Sequence, residues 1–114
     1  MIDSHCHLAD EAFHDDLEAV ITRARDSGVD RALCVLDATN EAEAVRAVRV
    51  ATLWPVVRFA VGVHPHQAGV FTDRVDDVEA RLREAIHARA GTCAVGEIGL
   101  DYHYDFAPRA VQRE

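Results

Sequence analysis

Apolar runs of strand length alternate with stretches of helical period along the whole sequence, and this beat constrains the fold more than any other feature. "MIDSHCHL" (1–8) reads as a first strand, and residues 11–27 place Phe13, Leu17, Val20, Ile21 and Ala24 at helical spacing before Gly28. "RALCVLD" (31–37) predicts a second strand. "NEAEAVRAVRVATLW" (40–54) predicts a second helix, with Asn40 as its N-cap and Pro55 just past its end. A third strand, "VVRFAVGVHPHQ" (56–67), precedes a third helix over 75–90, where Val78, Leu82 and Ile86 recur one turn apart and Gly91 follows. "TCAVGEIGLD" (92–101) completes four strands, and Pro108 opens a fourth helix, "PRAVQRE".

Near-continuous apolar strands joined through helices by short connections imply parallel pairing under a helical cover. That leaves two architectures, an open α/β sheet or a (β/α)8 barrel. With 114 residues, 49% of them hydrophobic, the chain has material for one core, and no linker or repeat divides it. No apolar stretch reaches the roughly 18 residues a membrane span needs, and the N-terminus has no basic region followed by an apolar core, so a cytoplasmic protein is expected. Cys6, Cys34 and Cys93 form no CxxC pair and sit in apolar runs, which predicts buried reduced thiols. The net charge is −8 and all twelve basic residues are arginines scattered singly. An extended duplex-binding surface is thereby excluded, and any contact with nucleic acid is expected to be local.

The chemistry gathers at predicted strand ends. Alternate residues of a strand share a face, so His5 and His7 offer two imidazoles to one side of the first strand, as two ligands of a divalent cation or as two polar residues at a surface strand end. "VGEIGLDYHYDF" (95–106) ends an apolar run on a carboxylate, Glu97, whose charge calls for compensation by a cation or by an arginine. If the first and fourth strands end at one rim, Glu97 completes a His5, His7, Glu97 ligand set. "GVHPHQ" puts His64 and His66 at the end of the third strand, as substrate contacts, outer-shell groups or loop histidines. "LDYHYD" (100–105) lines a pocket or caps the next helix, and His14 and His87 read as solvated helix faces. Cys6 should point away from the histidines toward the covering helices, and no GxSxG, P-loop or GxGxxG is present.

"MIDSHCHL", "VGVHPH" and "VGEIGLDYHYDF", in this order and together spanning the chain, resemble the TatD family of metal-dependent hydrolases and deoxyribonucleases. The resemblance implies a TIM-barrel fold of the metal-dependent hydrolase type and cleavage of phosphodiesters, in DNA or another substrate, by metal-activated water. His5 and His7 match ligands of one metal, Glu97 matches a catalytic carboxylate bridging two, and His64 and His66 match a motif near the substrate. The cofactors implied are two divalent ions, of zinc, manganese or magnesium. Ala9 departs from the family, which commonly carries Asp or Asn there, with Asp10 following.

A complete barrel takes roughly 250 residues. Residues 1–114 are accordingly expected to be the N-terminal part of a single barrel domain, the first half of a TIM (β/α)8 barrel truncated after the fourth strand, without the family's later histidines and aspartate. A half-barrel exposes two sheet edges, so self-association is expected. Two alternatives stand beside the nuclease: an inactive half-barrel or metal-binding remnant, and a mononuclear metal hydrolase of an amide or ester.

Overall fold

The computed structural model describes residues 1–114. Four strands, β1 (Ile2–Cys6), β2 (Arg31–Asp37), β3 (Arg58–Gly62) and β4 (Thr92–Val95), alternate with α1 (Leu17–Asp26), α2 (Glu41–Leu53), α3 (Asp76–His87) and α4 (Arg109–Arg113). All strand pairs are parallel and their order in the sheet is β1-β2-β3-β4. Sequential order decides between the two architectures. An open doubly wound sheet reverses direction at a switch point, whereas four βα units laid down in order form half of an eight-stranded barrel.

The core lies between the sheet and its helices. Ala32, Cys34 and Leu36 of β2, and Phe59 and Val61 of β3 with Val57 just before it, pack with Leu17 and Ile21 of α1, Ala47 and Val50 of α2, and Trp54 just past α2. The two central strands are buried along most of their length, while β1 and β4, the edges, are largely exposed. That difference corrects the reading of Cys93. It is exposed, because an edge strand has a neighbour on one side only, while Cys34 is buried, Cys6 is half-buried, and all three thiols are free. Cys6 does face the helical core, with its thiol toward the Leu33 carbonyl at 3.5 Å.

Beyond trimmed ends at the first strand and the third helix, element bounds differ from the sequence reading in three places, each for a local reason. Residues 11–27 are not one helix. Asp10 accepts from the Ala12 N–H at 2.8 Å and caps a separate 3-10 turn, Glu11–Phe13, and α1 starts only after the poorly helical His14-Asp15-Asp16. The third strand stops at Gly62, because Pro65 opens a 3-10 helix, Pro65–Phe71, with His64 at its N-cap. β4 stops at Val95, where glycines 96 and 99 interrupt the apolar run. The N-cap of α2 is as expected, with Asn40 Oδ1 accepting from the Glu43 N–H at 3.0 Å. No helix is long and apolar enough to cross a membrane.

Candidate metal centre

Parallel strands bring their C-terminal ends to one rim, so residues that end different strands become neighbours in space. His5 lies within β1 and His7 follows its last residue. Against β2, Asp3 is opposite Ala32 and Cys6 opposite Cys34, so β1 carries one residue more than its partner over this step. This bulge, beside His5, re-aims the side chains, and the Nε2 atoms of His5 and His7 come to 3.1 Å of each other.

Glu97 reaches the same place from the other edge. The Gly96 N–H still donates to the Val61 carbonyl at 3.0 Å, pinning the chain to β3 one residue past β4. The Gly96–Glu97 peptide is cis. Glu97 then projects with one carboxylate oxygen 3.4 Å from His5 Nε2 and the other 3.5 Å from His64 Nε2. Its side chain is 41% exposed, so less burial needs compensating than a strand-end position implied, and the side chains facing it are histidines and not an arginine.

Ligand atoms of His5, His7 and Glu97 all lie within 4.8 Å of one another. Two donors bound tetrahedrally at about 2.0–2.1 Å from one cation stand about 3.3 Å apart. The His5 to His7 and His5 to Glu97 separations, 3.1 and 3.4 Å, bracket that value, so the donor set fits a first-row divalent ion. The two Glu97 oxygens face different histidines, His5 and His64.

His64 and His66 sit beside this cluster with different partners. His64 Nδ1 accepts the His66 backbone N–H at 3.1 Å, which leaves Nε2 as the protonated nitrogen of a neutral ring, directed at Glu97. His66 Nε2 is 2.6 Å from Asp101 Oδ2. That hydrogen bond, with further ones from the His103 and Tyr104 backbone N–H groups, holds the Asp101 carboxyl below the usual carboxylate range. Asp101 thus ties the loop after β4 to the histidine turn. His14 and His87 are exposed and belong neither to the cluster nor to the lining of the concavity around it.

Sequence reasoning did not single out Asp37 and Glu43, which with His7, His64, His66 and Glu97 line a concavity of about 180 Å³. Glu43 is the one charged residue in the buried set, and burial pushes its carboxyl up while its Oε2 accepts the Asp37 N–H at 2.7 Å. The available signal was Asp37 itself, a carboxylate ending an apolar strand as Glu97 nearly does. A larger apolar cleft of about 560 Å³, lined in part by Phe71, Leu82, Ile86 and Ile98, lies apart from His5, His7, His64 and His66.

The family model described as TatD related DNase matches residues 2–114. Similar proteins include the uncharacterized metal-dependent hydrolase YabD of Bacillus subtilis, 33% identical over all of this chain and 42% of the relative. The 3'-5' ssDNA/RNA exonucleases TatD of Pantoea sp. and Cronobacter turicensis are each 34% identical, over 94% and 98% of this chain and 39% and 40% of the relatives. The chain therefore spans about two-fifths of the length of these relatives. With its half-barrel order of strands and a family match over nearly every residue, the chain belongs to the TatD-related DNase family.

Proposed function

We propose that the chain carries the metal-binding half of a phosphodiester hydrolase acting on DNA or a related nucleic acid, with residues 1–114 as the N-terminal part of one barrel domain. The observation that carries this reading is the convergence of His5, His7 and Glu97 from opposite edges of the sheet into one donor cluster. In it, His5, His7 and Glu97 would hold divalent ions (zinc, manganese or magnesium), two in the complete site, with Glu97 as the catalytic carboxylate. The cations supply Lewis acidity, lowering the pKa of water and stabilising charge on the phosphate oxygens.

The remaining work falls to the protein. Glu97 fixes the spacing of the cluster, and His64, with its proton on Nε2, can donate to an oxygen of the bound phosphate. His66, braced by Asp101, lines the same concavity and contacts substrate beyond the phosphate. Three free thiols support a cytoplasmic setting. The exposed edges β1 and β4, with Val95, Ile98 and Leu100 each more than half exposed, support self-association or pairing with further barrel strands. A mononuclear amide or ester hydrolase is the second reading, favoured by a donor cluster that offers three residues, enough for one ion.

The test is turnover of a single-stranded oligonucleotide and of an amide substrate with zinc, manganese or magnesium added in turn. Metal-dependent cleavage of the diester, abolished in Glu97→Gln, is expected. Hydrolysis of the amide alone would overturn the nuclease reading.

A further inference from the structure

The loop after β4 turns its apolar rings outward. Tyr104 and Phe106 are stacked, with centroids 5.3 Å apart and planes at 27°, yet they are 50% and 66% exposed. Both meet His66, at 4.7 Å for Phe106 and 5.6 Å for Tyr104, and His66 in turn packs edge-on to His64 at 4.3 Å. The ring cluster is thus continuous with the histidine that faces Glu97.

The rings are not needed to hold the loop's shape. Asp101 accepts from the His103 and Tyr104 N–H groups at 2.8 and 3.3 Å, and Gln112 clamps both ends of the loop, accepting from Asp101 N at 2.9 Å and donating to the Ala107 carbonyl at 3.0 Å. A polar scaffold fixes the backbone, and stacked rings stand on it in solvent beside the candidate site. Grouped exposed aromatic surface of this kind marks a contact for a flat apolar ligand.

We propose that Tyr104 and Phe106, backed by His66, form a stacking platform for one unpaired nucleobase of a single-stranded substrate whose phosphate sits at the His5, His7, Glu97 cluster. The proposal rests on the nuclease reading above. Charge favours a base over a phosphate at this spot. Asp105 lies between the two rings in sequence, and the chain's net charge of −8 leaves little room for holding a long backbone by counterion release. Stacking supplies affinity without cations and without sequence preference, since every base has a π face. Arg109, over the Tyr102 ring at 4.9 Å and donating to the Tyr102 carbonyl at 3.3 Å, adds one positive charge beside the loop. Bases paired in a duplex offer no free face, so the platform selects single strands or frayed ends.

The test uses fluorescence anisotropy with two phosphorothioate oligonucleotides of equal length and charge, which resist cleavage: oligo-dT and an abasic strand. Cleavage of an unmodified strand is assayed in parallel. Oligo-dT is expected to bind about tenfold more tightly than the abasic strand. Tyr104→Ala with Phe106→Ala should erase that difference while leaving abasic binding unchanged. Tyr104→Phe with Phe106→Tyr, which keeps both rings, should preserve it. Equal binding of the two strands by a protein that still cleaves DNA overturns the platform and leaves the nuclease reading standing. A difference that survives the double alanine variant also overturns it. A chain that neither binds nor cleaves overturns both.

Discussion

Gly62→Ala is expected to weaken metal binding without touching any ligand. A Cβ built at Gly62, the last residue of β3, would lie 2.5 Å from the Glu97 carbonyl oxygen, 2.6 Å from the Gly96 carbonyl carbon and 2.9 Å from the Glu97 nitrogen. Real Cβ contacts do not fall below 3.0 Å, so something must retreat by about half an ångström at the least. β3 is hydrogen-bonded on both sides, whereas Gly96 and Glu97 lie past the end of an edge strand. The Gly96–Glu97 peptide therefore yields and carries the carboxylate with it. Metal–ligand distances tolerate about 0.2 Å, so a shift of that size removes Glu97 from the ligand set.

The expected result is a fall in zinc affinity of about 10- to 100-fold, the scale of losing a supporting contact at a metal site. It is measured by competition with a chromophoric chelator. The steric cost to stability is about 1–3 kcal/mol, offset by about 0.4–1 kcal/mol from a stiffer unfolded chain, so folding should survive. Gly69→Ala is the control, since its Cβ meets only Ala107 and Pro108 at 3.7 Å, an ordinary contact. Wild-type zinc affinity in Gly62→Ala would refute the placement of Glu97 in the site.

Two further outcomes follow from the rim. His5→Ala combined with His7→Ala should lower bound zinc strongly while leaving the far-UV circular dichroism unchanged, because both side chains are exposed and outside the core cluster; metal content equal to wild type would place the site elsewhere. Glu43 is an acid whose folded-state pKa is raised, by burial first, which outweighs the lowering hydrogen bond from the Asp37 N–H; the Asp37 charge raises it further, and His7 and Arg46 lower it by less. The folded state therefore holds the proton more tightly, and stability is lost as pH rises from the ordinary value of 4.5 through the folded pKa. Glu43→Gln keeps an oxygen for the Asp37 N–H and removes that loss, so its Tm relative to wild type, in chelator, should climb as pH rises above about 4.5; a constant difference would refute the assignment.

The βα beat was legible because central parallel strands are apolar on both faces and helices are not, a contrast that residue types record directly. His5 and His7 were legible as a pair because the period of a strand is two. Their closeness was not, since it depends on a bulge fixed by pairing with β2, and pairing register is a tertiary property. Edge position, which exposes Cys93, and the path of the chain past Val95, which leaves Glu97 half in solvent, depend in the same way on neighbours far along the sequence. Glu43 escaped notice because a glutamate in the first turn of a helix reads as a helix-dipole partner. Its role at the rim appears only once the carboxylate is seen to fold back onto the Asp37 N–H.

That fold-back connects stability to the site. Asp37 ends β2, and its Oδ1 accepts from both the N–H and the hydroxyl of Thr39 at 2.7 Å, so the turn into α2 is built from polar groups directed at the rim and not at the core. The Ala38 N–H donates to the Gly62 carbonyl at 2.8 Å, joining this turn to the residue whose missing Cβ makes room for Glu97. The β2 turn and the Glu97 peptide therefore both abut one glycine. A rim organised this way brings His5, His7 and Glu97 together without burying them, and leaves the aromatic loop exposed as well.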